Sequence, residues 1–282
     1  MEKIGLVQSH GSLAWIEGNE HLITVDTGSD VAAGEPYKGS TLQALDQSVA
    51  GIGKPVASIF LTHHHWDHTA NLPLLLERWP QAEVIAHEAS PVAEVTRRIA
   101  ADETLDLSGV MIEVLTTPGH SEPGDDLSFW LPSERFLFCG DLAQPQGPSY
   151  ALSTGPSPVP FFHHGTAYLQ SLERLMAFNI NAMRTGHGDL LGPEQARQWL
   201  RVTYTTVNRM GGLAIEAVEK YPDKSADWLC EWVYDRIADE RHFKFRAAEA
   251  RKKAMTYPES GLSDYELFDK PGLLYWVEQA MS

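Results

Sequence analysis

The sequence predicts an α+β chain, with a β-rich core over residues 1–192 and an appended helical region over 193–282. Three observations carry this. Strand-length apolar runs alternate with helical spacing as far as "INAMRTGHG" at 180–188. After Pro193 one helical pattern follows another. And "LTHHHWDH" at 61–68 crowds four histidines and an aspartate onto the end of one apolar run, which marks the core as the chemical part.

The elements follow in order. "SLAWIEG" at 12–18 and "HLITVDTG" at 21–28 are β-rich runs separated by the turn material "GNE", a hairpin signal. The apolar spacing of 40–50 suits a helix. "VASIFLT" at 56–62 is a continuous apolar run, as a buried strand requires. Residues 70–80 read as a helix stopped by Pro80, and "AEVIAH" at 82–87 as a strand. "SPVAEVTRRIA" at 90–100 predicts a helix, with Ser90 as N-cap and Pro91 at the first helical position. "VMIEVLTTPGH" at 110–120 is a strand running into a loop, and "DLSFWLP" and "RFLFCGD" are two strands joined by "PSE". The stretch 143–165 is rich in Pro, Gly and Ser and long for a loop, and such loops are usually lids or binding loops. "TAYLQSLERLMAF" at 166–178 is an amphipathic helix. Further on, residues 228, 229, 232, 233 and 237 share one helical face, and "SDYE" at 263–266 fits a capping box.

Composition narrows the function. No apolar run is long enough to span a bilayer, and the start of the sequence lacks the charged head, apolar block and cleavage site of a secretory signal. A cytoplasmic protein without a membrane partner is expected. Cys139 and Cys230 are the two cysteines, so neither a disulfide framework nor a thiolate metal cluster is available, and both read as buried free thiols. A net charge of -16, with one short basic run at 251–253, argues against nucleic acid and for a small-molecule substrate. A homodimer is the assembly to consider.

"LTHHHWDH" follows a strand and precedes a helix, where α/β architectures place reactive groups. An extended backbone aims His63 and His65 to one side and His64 to the other. Asp67 and His68 follow as the chain turns into the helix. Imidazole and carboxylate together suit Zn²⁺, with Fe or Mn as alternatives. Three further candidates close strands elsewhere: His120 in "TTPGH", Asp141 in "FLFCGD" and His187 in "TGHG". Small residues beside each let the backbone turn tightly near a metal.

In order, "DTG" at 26–28, "THHHWDH" at 62–68, "TPGHS" at 117–121, "FCGD" at 138–141 and "GHG" at 186–188 resemble the metallo-β-lactamase superfamily over about residues 10–192. The resemblance implies an αββα sandwich with metals at one edge of its two sheets. It implies that His63, His65 and His120 hold one metal, that Asp67, His68 and His187 hold another, and that Asp141 bridges them. Two Zn²⁺ per chain are the implied cofactors. The implied chemistry is hydrolysis by a hydroxide formed between two divalent ions, with Asp67 orienting the nucleophile or carrying a proton to the leaving group. "THHHWDH" is very like glyoxalase II, a thioesterase. The glutathione-contacting segment of that branch is replaced here by 143–165. "FFHHGTAYLQSLERL" with "RTGHGDLL" resembles the quinolone-signal thioesterase branch, which acts on aminobenzoylacetyl-CoA.

The expected function is therefore a dinuclear metal-dependent hydrolase of a thioester, ester or lactone. Its rivals are a mononuclear iron sulfur dioxygenase, a small phosphodiesterase, and a signalling module with incidental hydrolysis. Retention of Asp67, His68 and His187 favours two metals. His163, His164, Phe162 and Tyr168 lie where the long loop enters a helix and are candidate substrate contacts, against a plain packing role. Asp26 reads as a support for a ligand loop, His64 as facing away, and Trp66 as packing beside the site.

Overall fold

A computed structural model describes residues 4–7, 9, 11–32, 35–36, 41–147, 156–188, 190–243, 251–253 and 260–282, with the backbone alone at 31, 32, 35 and 36. The chain divides into two compact units, Met1–Leu142 with Asn179–Ala196, and Ala143–Phe178 with Arg197–Ser282.

The first unit holds two six-stranded mixed sheets. One is built from β1 (Ile4–Leu6), β2 (Ala14–Glu17), β3 (Leu22–Val25), β6 (Val56–Phe60), β7 (Glu83–His87) and β8 (Arg97–Ile99), in that order. A two-stranded ribbon, β4 (Val31–Ala32) with β5 (Glu35–Pro36), lies between β3 and β6 in the chain. The other sheet has the order β14 (Leu190–Leu191), β13 (Ala182–Arg184), β12 (Phe136–Phe138), β11 (Leu127–Leu131), β10 (Val110–Thr116) and β9 (Glu103–Leu107). The hairpin of β2 and β3 is antiparallel, whereas β3, β6, β7 and β8 run parallel to one another.

Alternation along each strand decides where the core sits. Ile16, Ile23, Phe60 and Ile85 from one sheet meet Ile112, Phe129 and Phe138 from the other, all at most 1% exposed. The Phe60 and Phe129 rings lie 4.6 Å apart. The alternate residues Leu22, Ile59 and Val84 face the other way. They pack against Leu45 of α1 (Thr41–Val49) and Leu72 and Leu75 of α3 (Leu72–Arg78). This explains why "VASIF" has no polar face: β6 is covered on both sides. The short helix α2 (Trp66–Thr69) precedes α3.

One local expectation fails, and one strand was not foreseen. Residues 90–100 form no helix; Arg97–Ile99 is instead strand β8, paired in parallel with β7. Thr96 explains the outcome, because its amide donates to the Val84 carbonyl and its hydroxyl accepts from the Val84 amide. A sheet edge thus captures a β-branched stretch whose N-terminal signals favoured a helix. The strand β9 was not read from its sequence; its "ETLDL" pairs with β10 and places Leu105 in the core.

The second unit holds α4 (Gly165–Met176), most of α5 (Pro193–Lys220), α6 (Ala226–Glu240) and α7 (Lys270–Met281). The segment 143–178, expected with the first domain, clusters here. Its contacts show why: Phe162 packs on Gly272, Gly165 on Trp276, and the Thr166 hydroxyl accepts from the Tyr275 hydroxyl at 2.9 Å. In α6 the buried face is Leu229, Cys230, Val233, Tyr234, Ile237 and Ala238, which leaves Trp228 at its rim rather than its centre. Both cysteines are buried free thiols. No helix among the described residues is long and apolar enough to cross a membrane.

The capping box forms as read. Ser263 Oγ accepts from the Glu266 amide at 3.3 Å, and Glu266 Oε2 accepts from the Ser263 amide at 2.8 Å. Ser263→Ala is expected to lower unfolding free energy by about 1 kcal/mol in urea denaturation.

Candidate metal centre

Five strands of the first unit deliver side chains from their C-terminal ends. Asp26 follows β3, Thr62 to His68 follow β6, His120 follows β10, Asp141 follows β12 and His187 follows β13. Seven side chains converge as three overlapping groups: His63, His65 and His120; His63, His68 and Asp141; and Asp67, His68 and His187.

The spacing suits ions. His65 Nδ1 lies 2.9 Å from His63 Nε2 and 3.1 Å from His120 Nε2. His187 Nε2 lies 3.1 Å from Asp67 Oδ2 and 3.2 Å from Asp141 Oδ2. Asp141 also reaches His68 Nε2 at 3.3 Å and His120 Nε2 at 3.7 Å, so one carboxylate touches both triads. Ligands about 2.0–2.1 Å from a tetrahedral ion stand roughly 3.3 Å from one another, which is the separation seen. His68 Nε2 is buried and makes no hydrogen bond although carboxylates surround it. A cation on that atom would satisfy it. The donor set therefore fits metal ions of the zinc class.

Asp26 fixes which nitrogen each ring presents. Its backbone is left-handed at φ 58, and its carboxylate is fully buried. It accepts from the Thr62 amide at 2.7 Å, the Thr62 hydroxyl at 3.0 Å and His68 Nδ1 at 2.8 Å. Because the Thr62 hydroxyl spends its proton on Asp26, it must accept from His63 Nδ1 at 3.1 Å. Both Nε2 lone pairs of His63 and His68 are thereby left for the centre.

A glycine lets the walls close. A Cβ on Gly186 would lie 1.8 Å from Asp141 Oδ1 and 2.6 Å from His68 Cε1. Gly186→Ala is therefore expected to displace Asp141 and to cut metal content at least tenfold, read by elemental analysis after dialysis against a weak chelator.

Protonation is pushed in opposite directions on His63 and His65 of the first triad and on His68 and His187 of the second. Burial, reinforced by neighbouring imidazoles, holds His63 well below its usual range and pushes His65 down to about 3, so both are neutral donors. Burial opposes charge on His68, and desolvation of the ring opposes it on His187. The carboxylates of Asp26, Asp141 and Asp67 override it on His68, and those of Asp141 and Asp67 lift His187 to about 10. Burial disfavours the Asp67 anion, but His68 and His187 outweigh it and take the group down to about 2. A ligating imidazole must shed its proton. Loading the second triad near pH 7 is thus expected to release protons, measured by titration calorimetry in buffers of different ionisation enthalpy, and apparent affinity should rise with pH.

A family model described as metallo-beta-lactamase superfamily matches residues 8–187. The chain belongs to the metallo-beta-lactamase superfamily. Two curated relatives named hydroxyacylglutathione hydrolase are similar to it. The one from Idiomarina loihiensis is 37% identical over 99 residues, 35% of this chain and 37% of that protein. The one from Xylella fastidiosa is 35% identical over 147 residues, 50% of this chain and 49% of that protein. The matches thus span half the length of these relatives or less. Among solved structures, a metallo-beta-lactamase family protein from Thermus thermophilus has a TM-score of 0.58 at 20% identity, covering 89% of this chain and 93% of its own. The sec-alkylsulfatase Pisa1 from Pseudomonas sp. has a TM-score of 0.58 at 16% identity, covering 75% of this chain and 41% of its own. At these identities the likeness is one of fold, and it agrees with the α+β sandwich expected from the sequence.

The remaining residues of interest sort by position in this superfamily member. Phe162 and Tyr168 are fully buried and stack at 5.2 Å within the second unit. His163 is half-buried and His164 exposed at the entry to α4. Residues 148–155 of the long loop lie outside the described residues. Trp66, expected to pack, is 47% exposed. Sequence reasoning missed Thr62, Ser121 and Asp125. Their signal was adjacency, since each sits next to or within five residues of a ligand.

Proposed function

We propose that this chain is a dinuclear, zinc-dependent hydrolase that cleaves a thioester, ester or lactone of a small acyl substrate. The observation that carries this is Asp141, whose carboxylate lies within 3.7 Å of His120 from one triad and within 3.2 Å of His187 from the other. A shared carboxylate supports two ions over the single iron of a dioxygenase. The names of the curated relatives support the thioester class.

His63, His65 and His120 would hold one ion, Asp67, His68 and His187 the second, and Asp141 both. When bound, such a pair supplies an activated water and a polarised carbonyl. The chain's own residues do the rest. Asp26 and Thr62 keep His63 and His68 in the ligating tautomer. Asp67 is ionised near neutral pH, so its carboxylate can orient the nucleophilic water, accept the proton that the water gives up and then pass that proton to the leaving group.

The test loads the full chain with Zn²⁺, counts ions, and assays acyl-CoA, a glutathione thioester, a homoserine lactone and bis-p-nitrophenyl phosphate. Two ions per chain with thioester or lactone turnover is expected. Diester cleavage alone, or one iron with oxygen uptake on a persulfide, would overturn the proposal.

A further inference from the structure

Asp125 is 1% exposed and lies outside both triads. One of its oxygens, Oδ1, accepts from two side chains that come from different ligand loops. His64 Nδ1 reaches it at 2.9 Å, and the Ser121 hydroxyl donates to it at 2.7 Å. The Asp125 amide in turn donates back to Ser121 Oγ at 3.1 Å. His64 stands between the candidate ligands His63 and His65, and Ser121 directly follows His120. One carboxylate oxygen thus ties together the two loops whose imidazoles form the first triad.

Three features make this more than a surface contact. The roots of the same loops are already joined, because the Leu127 amide donates to the Thr62 carbonyl at 2.7 Å. The neighbouring Asp126 uses both oxygens on the Ser121 amide and one on the Gly119 amide, which shapes the His120 loop from within. Asp125 alone of the pair reaches across to His64. Its second oxygen is buried and makes no hydrogen bond, an arrangement that costs stability and that a purely packing role would not require.

We propose that Asp125 is a positioning residue for the first triad, acting through His64 and Ser121 to set the separation of His63 and His65 from His120. This rests on the dinuclear assignment above. Asp26 does the corresponding work for His63, through Thr62, and for His68. Asp26 thus serves one ligand of each triad, whereas the Asp125 bonds reach His64 and Ser121, beside first-triad residues, so damage to Asp125 should fall on the first.

The test is a Zn²⁺ titration of the metal-free full chain against a competing chelator, with Co²⁺ absorption as a second readout. The equivalent lost in His120→Ala defines the first triad. Asp125→Ala should weaken that equivalent by roughly 10–100-fold and change its Co²⁺ band, while the other equivalent stays within about twofold. Asp125→Asn keeps an acceptor oxygen and should restore most of the affinity. If Asp125→Ala does not fold, His64→Phe and Ser121→Ala delete the two bonds singly, and each must weaken the same equivalent. A folded Asp125→Ala with wild-type affinity and Co²⁺ spectrum overturns the proposal, as does equal weakening of both equivalents. A wild-type chain that shows this metal behaviour yet hydrolyses no thioester, ester or lactone overturns the proposed function alone.

Discussion

Asp141→Ala is expected to lower kcat/KM for the best thioester or lactone substrate by about 10³-fold, roughly 4 kcal/mol of lost transition-state stabilisation. It should also leave no more than one ion firmly bound. The reason is position. Asp141 is buried and stands 3.3 Å from His68, 3.2 Å from His187 and 3.7 Å from His120. No other carboxylate among the described residues touches both triads so closely. Burial opposes its charge, but the His187 and His68 imidazoles hold it ionised well below the usual carboxylate range. Asp141→Asn keeps the volume and removes the charge. It should retain the fold and still lose most activity and one ion, which separates geometry from electrostatics. Steady-state kinetics with metal counting on both variants checks this. Wild-type activity in either variant would refute the shared-carboxylate assignment.

Asp26→Ala should cost about 3–5 kcal/mol of stability in chelator, because it strands a buried imidazole and two further donors in one step. It should also weaken metal binding by roughly 10–100-fold. The lost bonds are those from the Thr62 amide, the Thr62 hydroxyl and His68 Nδ1. The backbone adds to the cost, since alanine is poorly suited to φ 58. Asparagine tolerates that conformation and can still accept from Thr62, so Asp26→Asn should lose less stability than Asp26→Ala while still failing to fix His68. Urea denaturation with and without Zn²⁺ measures both terms. Equal loss in the two variants would mean that the carboxylate charge, not the backbone, sets the cost.

Much of this protein was legible as pattern. The strands β2, β3, β6, β7, β10, β11 and β12 announce themselves by apolar runs bounded by turn residues, because burying a sheet face demands that spacing. The helix α6 was legible in extent but not in rotation: the sequence face was 228, 229, 232, 233 and 237, whereas the buried face is Leu229, Cys230, Val233, Tyr234, Ile237 and Ala238, with Trp228 at the rim. The strand β8 was misread because helix-start signals are local and strand pairing is not. The grouping of 143–178 with the C-terminal helices was hidden for the same reason: contacts such as Phe162 on Gly272 join residues more than a hundred apart.

By itself the sequence determined that His63, His65, Asp67, His68, His120, Asp141 and His187 are the residues to consider, since metal chemistry restricts the donors and strand ends restrict their places. Only the tertiary structure decided that they meet, which atoms face inward, and what holds them there. Asp26 turns two imidazoles to present Nε2, Gly186 makes room for Asp141, and Asp125 spans two ligand loops. These are distances between residues far apart in the chain. They are set by how two sheets pack, which no local spacing encodes.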